Sequence, residues 1–234
     1  MRLRVIFSKS GALRYTGHLD LQTIWERTLR RAGLPLAYTH GFHPGPKIQI
    51  ASALPLGFIG HAEIVDIWLH EPVGAAIVAA QALVAAQGGD KSRPYADILQ
   101  PAAPPGLGII SVEPVDENGP SLQTQVASAE YEVTLLDPLD ETDLAQRMVI
   151  ALRAESLPRE RRGKPYDLRL LIEELSFTPA LPPVGEGPVV RVFMRLAARE
   201  GATGRPEAVL DVLGIPFEAT RIERTRLILK TEIE

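Results

Sequence analysis

The chain has 234 residues, 45% hydrophobic and 23% charged, and contains no cysteine. That apolar content supports a buried core and argues against wholesale disorder. The missing thiols exclude disulfides, cysteine nucleophiles, thiolate zinc sites and cysteine-held iron–sulfur clusters, and they fit a reducing, cytoplasmic setting. The net charge of −4 hides a regional polarity. Residues 1–60 carry eight Lys/Arg against Asp20 and Glu26, a net +6; the remainder carries −10, and all five histidines fall in the first 70 positions. A local positive field matters more for anion binding than the global sum. No signal-peptide layout opens the chain, and its longest apolar stretch, Val73 to Ala86, is shorter than the ~20 residues a bilayer span needs. No membrane association is expected.

In chain order, Leu3, Val5 and Phe7 alternate with Arg2, Arg4 and Ile6, predicting a strand. After a turn-rich connection, Leu21, Ile24, Trp25, Thr28, Leu29 and Ala32 predict a helix from about His18 to Ala32, with Thr16 as N-cap and Gly33-Leu34-Pro35 as its stop. Leu36 to His40 is extended and leads into a stiff loop, Gly41 to Pro46. Lys47 to Ala51 and Ala62 to Leu69 read as strands. Pro72 to Gln87 reads as an Ala-rich helix closed by Gly88-Gly89. The Pro/Gly-rich stretch Lys91 to Gly106 reads as a connection to a strand over Leu107 to Val112. Asp116 to Pro120 has the composition of a domain linker.

The second half repeats the order. Tyr131 to Leu136 is a strand, Asp140 caps a helix carrying Leu144, Met148 and Leu152, and Leu168 to Phe177 is mostly strand. A strand over Val189 to Leu196, a short helix over Pro206 to Leu213 and a strand over Ile222 to Leu229 follow. On the last strand, Arg224 and Arg226 read as a basic outer surface. The β-α-β-β-α-β order in each half predicts an α+β protein of two tandem ferredoxin-like α/β-sandwich domains, residues 1–118 and 119–234.

Three constellations stand out. Lys9, Arg14, His18 and Asp20 precede or open the first predicted helix. Asp20, Arg27 and Arg31 share a face of it and Arg30 lies beside them, where guanidinium forks suit phosphate; the bland alternative is a solvated face with routine ion pairs. The loop carrying His40, Phe42, His43 and Lys47 combines proline stiffness, close glycine backbone, and groups for stacking and anion contact. A plain turn with surface histidines is its alternative, and two histidines three apart without a third ligand make a poor metal site. Arg159 to Lys164 is a basic run, either a mobile arm for RNA or a solvated loop. No triad, P-loop, GxGxxG or HExxH occurs.

The run Arg14-Tyr15-Thr16-Gly17-His18-Leu19-Asp20-Leu21, with Arg27 to Pro35, Gly41-Phe42-His43-Pro44, Ala53 to Gly57 and Glu63, resembles the radical-SAM-linked family, a domain of unknown function. Looser matches follow at Pro120-Ser121-Leu122, Ala129-Glu130-Tyr131, Lys164, Asp167-Leu168-Arg169, Gly204-Arg205-Pro206-Glu207 and Ile222 to Thr225. The resemblance spans about residues 2–230. Its members occur fused to or encoded beside radical SAM proteins, and some lie near genes for ribosomal proteins and RNA-processing enzymes.

A radical SAM enzyme needs three cysteines for its cluster. The resemblance therefore implies a linked module rather than the radical enzyme: an adaptor without cofactor or metal that binds a substrate, RNA in this reading, and presents it to a separately encoded radical SAM enzyme. Lys9, Arg14, His18, Asp20, the three helix arginines, His40, Phe42, His43 and Lys47 would bind that substrate. Two alternatives stay open. One is a metal-independent RNA-processing endonuclease using His18, His40 or His43 as acid or base; the other is a module that docks on the radical enzyme and touches no RNA.

Overall fold

The computed structural model describes residues 1–70, 93–180 and 189–232. Their contacts divide the chain into two units, Met1–Gln125 and Val126–Glu234. Both mix helices with antiparallel strands, so the class is α+β.

In the first unit the opening alternation becomes β1 (Arg2–Lys9). It is followed by α1 (His18–Arg31), β2 (Ile48–Ile50), β3 (Ile59–Trp68), α2 (Arg93–Ala102) and β4 (Leu107–Val115). Within the unit the strand order is β4-β1-β3-β2, every pair antiparallel. Leu3, Val5 and Phe7 are fully buried with Trp25 and Leu29 of α1 and Tyr95 and Leu99 of α2. Phe7 and Trp25 meet edge-on, ring centroids 5.0 Å apart. Burying each such side chain stabilises the fold by about 1.5–3 kcal/mol.

Helix α1 stops where expected, through a C-terminal motif in which Gly33 N–H bonds Arg30 O at 3.1 Å and Leu34 N–H bonds Leu29 O at 3.2 Å. Gly33 takes the positive φ this motif requires. The N-cap differs from expectation: it is Gly17, not Thr16. The Thr16 hydroxyl instead donates to Leu13 O at 2.7 Å, closing the 3-10 turn Gly11–Tyr15.

Two further expectations are corrected. The Pro/Gly-rich stretch after Lys91 contains α2. Pro94 falls in its first turn, where no intrahelical N–H is needed, and Tyr95 and Leu99 recur at the i,i+4 spacing of a buried face. The presumed linker after Asp116 is sewn to the sheet. Arg2 donates to the carbonyls of Asp116 (3.4 Å), Gly119 (3.1 Å) and Pro120 (3.0 Å). One further turn, α3 (Leu122–Gln125), ties to β2 through Leu122 N–H to Gln49 (3.1 Å) and Gln123 to Ile50 O (3.1 Å). The Ala-rich helix expected over Pro72 to Gln87 lies outside the described residues.

The second unit runs β5 (Val126–Leu135), α4 (Glu141–Arg153), β6 (Pro158–Arg161), β7 (Lys164–Asp167), β8 (Ile172–Ala180), β9 (Val189–Arg199), β10 (Ala202–Thr203), α5 (Pro206–Val212) and β11 (Thr220–Leu229). Its order is β11-β5-β9-β8, antiparallel, with β10 folding back on the end of β9 and β6–β7 forming a separate hairpin. Asp140 caps α4, its carboxylate accepting from Thr142 N–H at 2.7 Å and Asp143 N–H at 3.2 Å. The Asp143 and then the Thr142 amide hold that carboxyl below its ordinary pKa. Leu168 to Phe177 begins as a 3-10 turn, Arg169–Leu171, before β8 starts.

On β11 the expected basic outer surface does not form. A bulge between Arg224 and Arg226 breaks their shared face. Arg224 is buried, while Arg226 remains half exposed near Glu130 and Glu232. No helix among the described residues is long and apolar enough to cross a membrane.

Candidate functional site

The N-terminal cations divide according to what they touch. Asp66, completely buried, accepts from Arg2 Nη2 at 2.6 Å and Arg2 Nε at 2.9 Å, and from Arg4 Nε at 2.9 Å and Arg4 Nη2 at 3.0 Å. Arg2 uses all three of its nitrogens and Arg4 two of its three within the protein, which commits both side chains to the fold. Lys9 is only 1% exposed, and its ammonium donates to Thr16 O at 2.9 Å. Buried Glu63 folds over Gly60, the residue opposite Lys9 on β3. Arg31 donates to Ala102 O at 2.7 Å, satisfying a terminal carbonyl of α2.

The remaining predicted site residues lie along α1 in two groups. Arg14, Tyr15, His18 and Asp20 sit at its start, beside Leu56: Gly57 N–H bonds Arg14 O at 2.8 Å. Here the Arg14 guanidinium stacks 4.7 Å from the Tyr15 ring centroid, and Tyr15, Leu19 and Leu56 are exposed. Asp20 is in the first turn, where a negative charge complements the helix dipole. Arg27, Arg30 and the loop sit at the other end. Arg30 bonds Glu26 (2.8 Å) and the Tyr38 hydroxyl (2.9 Å). From His18 to Arg30 is about 18 Å along the axis at ~1.5 Å per residue. These predicted residues thus fall in two groups, one at each end of α1.

At the loop end, Thr39 N–H bonds Gly45 O at 2.8 Å and Gly45 N–H bonds the Thr39 hydroxyl at 3.1 Å. These bonds close the loop's base and project His40, Phe42 and His43, all exposed; Phe42 is fully so. Beside the loop is a cavity of about 610 Å³ lined by Tyr38, His40, Lys47, Trp68 and His70 among others. Lys47 Nζ lies 4.5 Å and the Arg2 guanidinium 4.8 Å from the Trp68 ring centroid, a cation–π arrangement. Arg27 makes no ion pair or side-chain hydrogen bond among the described residues.

The second unit holds a feature that regional charge counting obscured. The basic run noted after Arg159 is the β6–β7 hairpin, with Arg161 opposite Lys164 and a two-residue turn, Arg162-Gly163. Both turn residues have positive φ, 50° and 75°. Such mirror-image turns suit the twist of a hairpin and normally take Asn-Gly. This hairpin, Arg199 at the end of β9 and Arg205 before α5 line a cavity of about 710 Å³. Arg161, Arg162, Lys164, Arg199 and Arg205 are exposed, and among the described residues none has a side-chain partner.

Asp167, also at this cavity, directs its carboxylate at backbone: it accepts from Leu157 N–H at 2.8 Å and Arg169 N–H at 2.9 Å. The Leu157 amide is the main cause of a carboxyl held below its ordinary pKa. The sheet arginines of β9, by contrast, are paired: Arg195 with Glu130 (2.9 Å) and Glu174 (3.2 Å), Arg191 with Glu132 (3.2 Å). Gly204 is buried between two residues that line the cavity, Thr203 and Arg205. A Cβ there would lie 3.0 Å from Leu196 Cβ and 3.3 Å from Leu171 Cβ, so the backbone between Thr203 and Arg205 is close-packed.

No group of three or more His, Asp or Glu suited to a metal occurs among the described residues. The arrangement offers cations, aromatic faces and loop histidines, the chemistry of binding an anion or a base.

The fold and these surfaces define a two-unit α+β protein with separate cationic and aromatic cavities. Residues 2–89 and 91–206 match the family described as "Uncharacterized protein conserved in bacteria (DUF2344)", and the chain belongs to that family. No curated protein matches the sequence. Among solved structures, the chain is similar to an unknown protein from Galdieria sulphuraria, 11% identical over 97% of each chain with a TM-score of 0.25. A likeness at that score has no bearing on fold or function.

Proposed function

We propose that this chain is a cytoplasmic substrate-binding adaptor that holds RNA for a separately encoded radical SAM enzyme. The partner comes from the resemblance of the N-terminal motifs to radical-SAM-linked proteins, together with the absence of any cysteine to hold a cluster. We also take the two units as tandem ferredoxin-like domains. The orders β4-β1-β3-β2 and β11-β5-β9-β8 support this, each unit interleaving its strands with helices as a split βαβ arrangement does.

The observation that carries the binding role is the loop over 39–45. Phe42 is the most exposed of the large apolar side chains among the described residues, so its ring face is open to a ligand. It is held on a loop closed at its base, flanked by His40 and His43 and near the Arg30–Tyr38 pair. A flat apolar face among imidazoles and a guanidinium suits an unpaired base and its phosphate. The endonuclease alternative fits less well, because His18 lies on the first turn of α1 while the loop is tied to its last turns.

The test is ultraviolet crosslinking of the full chain to cellular RNA, with recovery of bound proteins from the same sample. Crosslinks at the loop, lost in Phe42→Ala, and co-recovery of a radical SAM enzyme are expected. Recovery of that enzyme without RNA would leave docking alone. Specific RNA cleavage in EDTA, lost in His18→Ala, would overturn the adaptor reading.

A further inference from the structure

The second unit gathers unpartnered cations around a cavity of its own. We infer that the cleft between the β6–β7 hairpin and the β9–β10 turn binds the phosphate backbone of single-stranded RNA. The ligand's identity rests on the RNA reading above; the site stands on residues of this unit alone.

The argument starts from charge. The chain is net negative, and the sheet arginines of this unit sit on carboxylates. In the cleft, Arg161, Arg162, Lys164, Arg199 and Arg205 converge from three chain segments without one carboxylate partner among the described residues. Gathering like charges is unfavourable in the free protein and is relieved by an anion carrying several charges. The one acid among the residues lining this cavity, Asp167, turns its carboxylate to backbone amides at the hairpin's foot.

Backbone geometry points the same way. Arg162 holds φ of 50° at a turn position where Asn or Gly would be unstrained. A long cationic side chain kept at that tip, against local preference, is explained by what it reaches.

Residue chemistry then selects the anion. Four of the five cations are arginines, whose planar forks match pairs of phosphate oxygens. Between them lie Tyr166, half buried, and Leu170, exposed in the same cavity. Charged walls over an aromatic and apolar floor suit a strand that alternates phosphates with flat bases, and suit an acidic peptide less. The cavity, about 710 Å³ and lined from two hairpins, accommodates more than one phosphate group.

Fluorescence anisotropy of the full chain with a mixed-sequence oligoribonucleotide of about 16 nucleotides tests this. Two independent variants are used, Arg161→Gln/Arg162→Gln/Lys164→Gln and Arg199→Gln/Arg205→Gln, with circular dichroism confirming that each folds. Each should weaken binding about 10-fold or more and lower the slope of log K against log salt by about 0.7 per phosphate contact removed. Unchanged affinity in both variants overturns the inference. So does equal binding of polyglutamate, which would make the ligand an acidic protein, or displacement of RNA by inorganic triphosphate at lower concentration than by RNA itself, which would make it a free polyphosphate. Phe42→Ala in the same assay separates the two sites. Loss there with intact binding in the cleft variants removes this inference and keeps the adaptor loop, and the converse removes the loop and keeps the cleft. No RNA binding at all overturns both.

Discussion

The two units differ in where their unpartnered positive charge collects. In the first, Arg2 and Arg4 close on buried Asp66, Lys9 is interior, and Arg31 satisfies a helix carbonyl. These cations hold the fold together, although they make the segment look like a basic surface. In the second, which is net negative by count, five cations line one cleft with no side-chain partner among the described residues. Net charge over a window therefore says little about field at a surface. What matters is which cations have a partner inside the protein.

Several measurements would break or sharpen that contrast. The largest effect is expected from Asp66→Ala, which leaves two guanidinium groups, one of them buried, without their carboxylate. Urea denaturation should show a loss of about 3–5 kcal/mol, and a loss under 1 kcal/mol would mean the triad is not structural. Gly204→Ala comes next: its Cβ must displace Leu196 or Leu171, at about 1–3 kcal/mol, with weaker anion binding from the distorted cleft.

Removing the α4 cap with Asp140→Ala should cost about 1 kcal/mol by thermal or urea unfolding and leave the cleft unaffected. Arg162→Gly should change stability by less than about 0.5 kcal/mol, because glycine accepts the positive φ, while weakening anion binding. A cleft arginine that proved as costly to remove as Asp66 would erase the contrast between the units.

The smallest expected effect is an acid one. Asp167 has a folded pKa below its ordinary value, so its contribution is complete above about pH 4 and disappears as pH falls through the folded pKa. Amide exchange at Leu157 and Arg169, the donors to its carboxylate, should accelerate there beyond the intrinsic pH dependence. Equal protection above and below that range would show that the hairpin's foot does not depend on it.

Local periodicity made much of the fold legible. Leu3, Val5 and Phe7 mark β1, and the stripe from Leu21 to Leu29 marks α1, because each pattern is set by neighbours in sequence. Helix α2 was hidden because Pro94 and Pro101 resemble breakers, although one falls in a first turn and the other near the end. The roles of Arg2 and Arg4 were not legible. Their carboxylate lies more than 60 positions away, and nothing local distinguishes a strand face covered by residues 116–125 from one facing water. The site was less legible still. His18 and His40 are close in sequence, yet a rigid helix separates their surroundings, whereas Arg162, Arg199 and Arg205 are distant in sequence and share a cavity. The usable clue was Arg162-Gly163, a two-residue turn with a bulky cation at its tip.

The bond from Arg2 to Pro120 O also has a consequence for synthesis. The two residues are 118 positions apart, so at a translation rate of roughly 5–20 residues per second Arg2 leaves the ribosome about 6–24 s before its last acceptor does. During that interval Arg2 can pair with Asp66, but the carbonyls of residues 116–120 that complete its shell are still missing. Truncations ending before residue 116 should accordingly yield nascent chains that are more readily cleaved than those reaching 125, a vectorial signature of where the first unit becomes whole.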